Sequence, residues 1–141
     1  MHEKHHLFSK EFNIRWQDMD AYQHVNHTIY FVYMQECRIA WLQYHNVNMD
    51  GVGRAPIVSE ISCKYLRPIT FPQEITIDLY FTHRAGRRIY FYQEIKDKNN
   101  PSVIFATGAI TVVWIDTTSG RSISPPKEYD YILETPELVN T

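Results

Sequence analysis

The stretch Asp18-Met19-Asp20-Ala21-Tyr22-Gln23-His24-Val25-Asn26-His27 packs two carboxylates, two imidazoles and an amide directly ahead of a long helical pattern. A carboxylate beside a helix N-terminus can take a proton from water or attack an acyl carbon itself. The free N–H groups and positive dipole end of that helix can meanwhile polarise the carbonyl oxygen under attack. His24 is placed to orient such a water or to carry a proton. The same residue types also suit a purely structural role, with Asp18 and Asp20 forming Asx turns at the helix entrance and Asn26 serving only as its cap. If the strand runs on through Asp18 and Asp20 they share a face, whereas a turn at Met19 separates them.

Other chemistries lack their residues. Ser59, Ser62 and Ser119 have no G-x-S-x-G setting, so an ordinary serine hydrolase is disfavoured. His24 and His27 are not joined by an H-E-x-x-H motif or a thiolate pair, which leaves no metal site to assign. Neither G-x-G-x-x-G nor a P-loop occurs, and no cofactor is implied. Cys37 and Cys63 form no C-x-x-C pair and read as reduced, buried thiols.

The elements that must position the loop follow from pattern. Asn26 is a good N-cap, and no Gly or Pro interrupts His27 to His45. Tyr30, Tyr33, Met34, Cys37, Trp41 and Tyr44 recur at three- and four-residue steps, with Ile29, Phe31, Val32, Ile39, Ala40 and Leu42 spreading apolar surface around the rest. That composition predicts an enclosed helix whose N-terminus opens into a largely dry pocket. Residues 1 to 10 are polar and His-rich and read as a loose arm. Alternation from Glu11 to Trp16 predicts a first strand feeding the loop. Turn formers fill Asn46 to Pro56. Strands are then expected over Ile57 to Leu66, Ile75 to Thr82 and Ile89 to Lys96, with a hairpin turn at His83 to Arg87. Val103 to Ile115 is nearly continuous in apolar and small residues, as expected of a central strand covered on both faces. A helical turn at Tyr129 to Leu133 precedes a tail, 134 to 141, expected to fray. The chain thus reads as a single α+β domain over 1 to 141, an antiparallel sheet of about five strands around one long helix.

Fourteen Lys and Arg against sixteen Asp and Glu leave a net charge of −2, which gives no general reason to expect nucleic acid or an anionic membrane as partner. No apolar run approaches the roughly 18 residues of a membrane span, and the N-terminus lacks the apolar core of a signal peptide, so a cytoplasmic location is expected. Local charge is another matter. His83, Arg84, Arg87 and Arg88 gather at one hairpin, where guanidinium groups can hold phosphates or simply stay solvated at a sheet end. Glu36 can approach the pocket from the helix, face a neighbouring subunit, or pair with Arg38 or water. Tyr22, Tyr30, Tyr33 and Tyr65 can line an acyl or aryl pocket or be plain core.

The pattern Asp18-x-Asp20-x-x-x-His24-Val25-Asn26, followed by Tyr30 and Glu36 on the helix, resembles the thioesterase branch of the hotdog-fold superfamily. The 4-hydroxybenzoyl-CoA thioesterase-like and acyl-ACP thioesterase-like members are the nearest in look. The resemblance extends over roughly residues 11 to 130, through Tyr65-Leu66-Arg67-Pro68, the Arg87-Arg88 hairpin and the Asp116-x-x-x-Gly120-Arg121 turn. It implies a sheet curled around the helix, and dimers or dimer-of-dimers tetramers with the acyl-thioester site at the subunit interface. It also implies hydrolysis of a small to medium acyl or aroyl thioester of CoA, or of an acyl-ACP. Asp20 is then the nucleophile or general base, and the helix-start amides around His27 and Thr28 polarise the carbonyl. Asn26 shapes the turn, His24 assists water or substrate, and Arg87 and Arg88 hold the phosphates of a pantetheine-linked substrate. Tyr22 departs from the pattern, because acyl-ACP thioesterases of this look commonly carry Asn there. The same motif is also compatible with a hotdog module that binds thioesters without hydrolysing them.

Overall fold

The computed structural model describes residues 3–134. The expected fraying tail therefore lies outside the described residues from position 135 onward. The strands are β1 (His5–Asn13), β2 (Arg54–Tyr65), β3 (Glu74–Ala85), β4 (Arg88–Asp97), β5 (Ile104–Asp116) and the short β6 (Ser122–Ile123); the helices are α1 (His27–Tyr44) and α2 (Lys127–Glu134). The strands form one antiparallel sheet in the order β1-β3-β4-β5-β2, with β6 paired to β5. This is the α+β architecture expected, with one strand more.

Strand alternation decides which face holds the helix. Ile75, Ile77 and Leu79 of β3, Ile89, Phe91 and Ile95 of β4, and Ile110, Val112 and Trp114 of β5 point inward and are buried. They pack against one stripe of α1, made of Tyr30, Tyr33, Met34, Cys37, Trp41 and Leu42. The helix approaches the sheet so closely that a Cβ at Gly108 would collide with the sulfur of Met34. Beside Gly108 in the register, Gln93 donates through Nε2 to the Met34 carbonyl (3.1 Å), fastening helix backbone to sheet.

Several expectations are corrected. Residues His5–Asn13 are not a loose arm; they are an edge strand paired with β3, and the chain then leaves the sheet through a 3-10 turn at Trp16–Asp18, so the expected strand ends at Asn13. The helix is not enclosed by its own chain: Val32, Gln35, Glu36, Ile39 and Tyr44 remain exposed, because the sheet covers only one side. β2 begins at Arg54, inside the stretch expected to be turn, where Pro56 is tolerated because the strand lies at the sheet edge. β5 is interior, with β4 and β2 on its two sides, but the central strand is β4. The β3–β4 connection tightens to Gly86-Arg87, with Gly86 at φ 63°, the conformation glycine adopts without steric cost.

The polar anchor of the opposite sheet face is Asp78. Only 5% exposed, it accepts from Ser9 (2.5 Å), His6 (3.1 Å) and Lys96 (2.5 Å), bracing β1, β3 and β4 together. Burial pushes its carboxyl upward, but these hydrogen bonds and the Lys96 charge outweigh that and hold it well below the usual carboxylate range. A depressed pKa stabilises the fold above the unfolded value near 4 and loses that contribution as pH falls toward the folded value. Asp78→Asn should therefore cost about 3 kcal/mol at pH 7 in urea denaturation. The gap between variant and wild type should narrow progressively as the titration is carried below pH 4.

Candidate active site

The loop ahead of α1 is a closed knot of hydrogen bonds. Met19 and Val25 form an isolated antiparallel bridge, the Asp20 amide donates to the His24 carbonyl (3.0 Å), and Gln23 turns the chain with φ 63°. The loop is also sewn to its surroundings, with Val25 N–H donating to the Ile69 carbonyl (2.8 Å) and Asn26 N–H to the Asp18 carbonyl (3.0 Å).

The two aspartates do different work. Asp18 is 9% exposed, and its Oδ2 accepts from the Tyr33 hydroxyl (2.6 Å) and the Arg15 amide (3.0 Å), pinning the loop to the first turns of α1. Burial first, then this bond to a carboxylate, push the Tyr33 phenol far above its ordinary value, so it remains a donor. Asp20 is only half-buried. Its Oδ1 accepts from the Tyr22 amide (2.9 Å) and its Oδ2 from the Asn26 side-chain amide (3.1 Å). The chain is not a continuing strand here: Asp18 ends the 3-10 turn and Asp20 follows the extended, bridged Met19, so the pair is separated. Asp20 does form an Asx turn, and it also presents a carboxylate held from both sides.

Asn26 links that carboxylate to the helix. Its Nδ2 donates to Asp20 while its Oδ1 accepts from the Thr28 amide (2.9 Å) and hydroxyl (2.6 Å). The Thr28 amide, expected to face substrate, is consumed by this cap. The Ile29 amide bonds back to the Asn26 carbonyl (2.9 Å), which leaves the His27 N–H as the first-turn donor with no partner among the described residues. Tyr65 closes the other side, its hydroxyl donating to the His27 carbonyl (2.8 Å) and its ring meeting Tyr30 edge-on at 4.8 Å. Burial, and then neighbouring Cys63, push Tyr65 up to about 12, so it too stays protonated.

Two depressions flank the loop. One of about 640 Å³ is lined by Trp16, Met19, Asp20, Thr70 and Phe71, and the other, of about 280 Å³, by His24, His27, Tyr65 and the Leu66–Pro68 turn. Asp20 and the helix start therefore meet on a ridge between open hollows, which replaces the dry pocket expected of an enclosed helix. His24 and Tyr22 are exposed, Tyr22 to 83%, and among the described residues neither side chain makes a hydrogen bond. Asp20, His24, Asn26, His27 and Thr28 are thus brought together.

The other sequence candidates lie elsewhere. Glu36 lines a separate groove with Lys10, Arg15 and Tyr33, and it does not pair with Arg38, whose guanidinium is turned to Gln93. Arg87 donates to the Ser122 carbonyl at the far end of the sheet, and Arg88 opens β4 beside it. β3 spans the twelve residues between the loop end and that hairpin, roughly 35 Å at about 3.3 Å per residue, so one chain cannot bring these arginines to Asp20. Reading the sequence missed the anchoring role of Asp18, for which the only signal was a buried tyrosine half a helix away in pattern. It also missed the hollow lined by Trp16 and Phe71, whose rings lie 6.0 Å apart. No group of three or more His, Cys, Asp or Glu side chains among the described residues is arranged to hold a metal ion.

A model of the thioesterase-like superfamily matches residues 14–133. The chain belongs to that superfamily. Its sheet curled on a single long helix is the hotdog fold of these thioesterases, and the family supports acyl thioester hydrolysis as the general activity. The PA2801 protein of Pseudomonas aeruginosa, provisionally assigned as a thioesterase, is 27% identical, with a TM-score of 0.84 over 89% of this chain and 97% of its own. A protein of Xanthomonas campestris provisionally assigned as an acyl-CoA thioesterase is 32% identical, with a TM-score of 0.72 over 79% of this chain and 95% of its own. Among curated relatives, the chloroplastic acyl-acyl carrier protein thioesterase ATL3 of Arabidopsis thaliana is 29% identical over 75% of this chain; the chain spans 57% of that plant protein's length.

Asn26 has two separable duties, capping and holding Asp20. Asn26→Ala should cost about 1 kcal/mol in urea denaturation, and Asn26→Ser should recover that loss. Both should lower thioester turnover by about tenfold, because neither returns the donor to Asp20 Oδ2.

Proposed function

We propose that the protein hydrolyses small to medium acyl or aroyl thioesters of coenzyme A, with Asp20 as general base. The observation that carries this reading is the Asp20 carboxylate held by the Tyr22 amide and Asn26 at the start of a helix whose His27 N–H is open. Both carboxylate oxygens already accept a hydrogen bond, which disfavours attack by Asp20 itself and leaves a lone pair to take a proton. Water then attacks the thioester carbonyl as Asp20 removes its proton. Negative charge grows on the carbonyl oxygen beside the His27 N–H, and the C–S bond breaks to release a thiolate that takes the proton Asp20 removed from the water, returning the carboxylate. His24, exposed on the same loop, is placed to order the water. The hollow walled by Trp16, Met19 and Phe71 suits an apolar acyl or aryl group, and the His24–Tyr65 hollow leaves room for the pantetheine arm. The name of the Xanthomonas relative favours CoA as carrier; that of the plant relative keeps acyl-ACP as the second reading.

This reading includes a dimer. β2 is an edge strand with most of its residues exposed, and the outer side of α1 is bare. Antiparallel pairing of two β2 strands about a two-fold axis would set the Arg87–Arg88 end of one copy beside the Asp20 end of the other. It would also shelter the ridge that a single chain leaves open. Dimers of dimers are the next order of assembly in this reading. No helix among the described residues is long and apolar enough to cross a membrane, and a cytoplasmic enzyme is the setting proposed.

Thiol release from a panel of acyl-CoAs should fall at least about 100-fold in Asp20→Asn. Equal rates for the two proteins would reject the assigned base, and binding of acyl-CoA without turnover by wild type would favour a non-catalytic thioester-binding module. The double variant Arg87→Ala, Arg88→Ala should raise KM for CoA substrates several-fold while leaving KM for a truncated pantetheine thioester unchanged. A matching rise for both substrates would remove the phosphate role.

A further inference from the structure

A second groove lies on the concave side, away from the Asp20 loop, where the C-terminal half of α1 faces β2, β4, β5 and α2. Its volume is about 190 Å³, and Ile39, Leu42, Pro56, Val58, Phe91 and Val112 give it apolar walls. Set among them is Arg38, half-buried, its guanidinium hydrogen-bonded to Gln93 Oε1 at 2.8 Å. Gln93 is fully buried, and its own amide nitrogen is committed to the Met34 carbonyl (3.1 Å), so its oxygen is fixed toward the arginine. This is a built seat for a cation.

Among the described residues the cation has no counter-charge. Among the described residues no carboxylate pairs with Arg38, and Glu36, two positions away, points into a different groove. The titratable groups that it feels are the Cys37 thiol, pushed up to about 12 by burial, and the Tyr129 phenol, likewise driven upward. Both are neutral at physiological pH, while the guanidinium, though drawn down by burial, stays charged. Trp41, 2% exposed, also lines the groove, and among the described residues its indole N–H has no hydrogen-bond partner. Burying an unpaired cation in an apolar cleft is costly unless something completes it.

We propose that this groove binds an aliphatic monocarboxylate, its carboxylate on the Arg38 guanidinium and its chain along Ile39, Val58 and Val112. At about 30 Å³ for each heavy atom the space holds roughly six to seven, which matches a four- or five-carbon acid with its two oxygens counted. Within one chain the site lies apart from the ridge at Asp20: Arg38 is twelve residues beyond the helix cap, roughly 18 Å along the axis. A free acid is also what thioester hydrolysis releases, so the groove accepts the product class of the family's reaction without depending on which residue performs it.

The test is a chemical-shift titration of the methyl groups of the full chain with pentanoate and, in parallel, with 1-pentanol. In wild type, pentanoate should shift the Ile39, Val58 and Val112 methyls saturably, and pentanol should bind at least about tenfold more weakly, since it cannot form a charge-assisted pair. Arg38→Met should lower pentanoate affinity at least about tenfold and leave pentanol unchanged, and Asp20→Asn should leave pentanoate binding intact. The wild-type titration stands even if Arg38→Met fails to fold. Absence of saturable shifts in the groove, shifts centred on Met19 and Thr70 in the hollow beside Asp20, or loss of binding in Asp20→Asn would overturn the proposal. So would light scattering that shows a wild-type dimer dissociated by Arg38→Met, with pentanoate affinity unmoved. That result would assign the counter-charge to a second copy of the chain.

Discussion

Helix α1 can lie against the sheet as it does because one position of β5 has no side chain. At Gly108 the Met34 side chain occupies the place a Cβ would need, and Gln93, opposite Gly108 in the register, reaches up to the Met34 carbonyl. Close approach at that point fixes the height of the helix over the sheet. With the height set, Tyr33 meets Asp18 and Tyr65 meets the His27 carbonyl, so the loop before the helix is held from below and from the side. The position of Asp20 is therefore a consequence of packing more than ten ångströms' worth of helix away from it.

Two carboxylates two residues apart illustrate how environment divides labour. Asp18 is turned inward by the 3-10 turn and spends its acceptors on a phenol and an amide of the scaffold, which leaves it structural. Asp20 sits beyond the Met19–Val25 bridge, partly open to water, with one donor on each oxygen. Asn26 then joins the second carboxylate to the helix cap in a single side chain. A capping residue that also holds this carboxylate couples helix stability to the placement of Asp20 at one position.

Much of this was legible in the residues. The N-cap at Asn26 and the span of α1 follow from chemistry confined to neighbouring positions, and strands β3 and β4 follow from strict alternation. The errors share a cause, which is that they depend on partners distant in the chain. The His5–Asn13 strand looks polar because its outward residues meet Asp78 of β3, seventy residues on. The helix looks fit for full enclosure because its outer apolar residues, Val32 and Ile39, are left bare by the single chain. Nothing local distinguishes Thr28 as a capped amide from His27 as an open one; that follows only from where the Asn26 side chain turns. Within one chain the length of β3 holds the Arg87–Arg88 hairpin at the opposite end from Asp20, so a shared site would need a second copy, which no local pattern displays.

The three tryptophans are distributed unequally. Trp41 and Trp114 are sealed in the core near Tyr129, whereas Trp16 is 73% exposed and stands edge-on to Phe71 in the hollow beside Asp20. A water-soluble quencher such as iodide can therefore reach one indole and not the other two. The molecule carries its own optical probe of the Asp20 loop, separable from the emission of the core without any label or substitution.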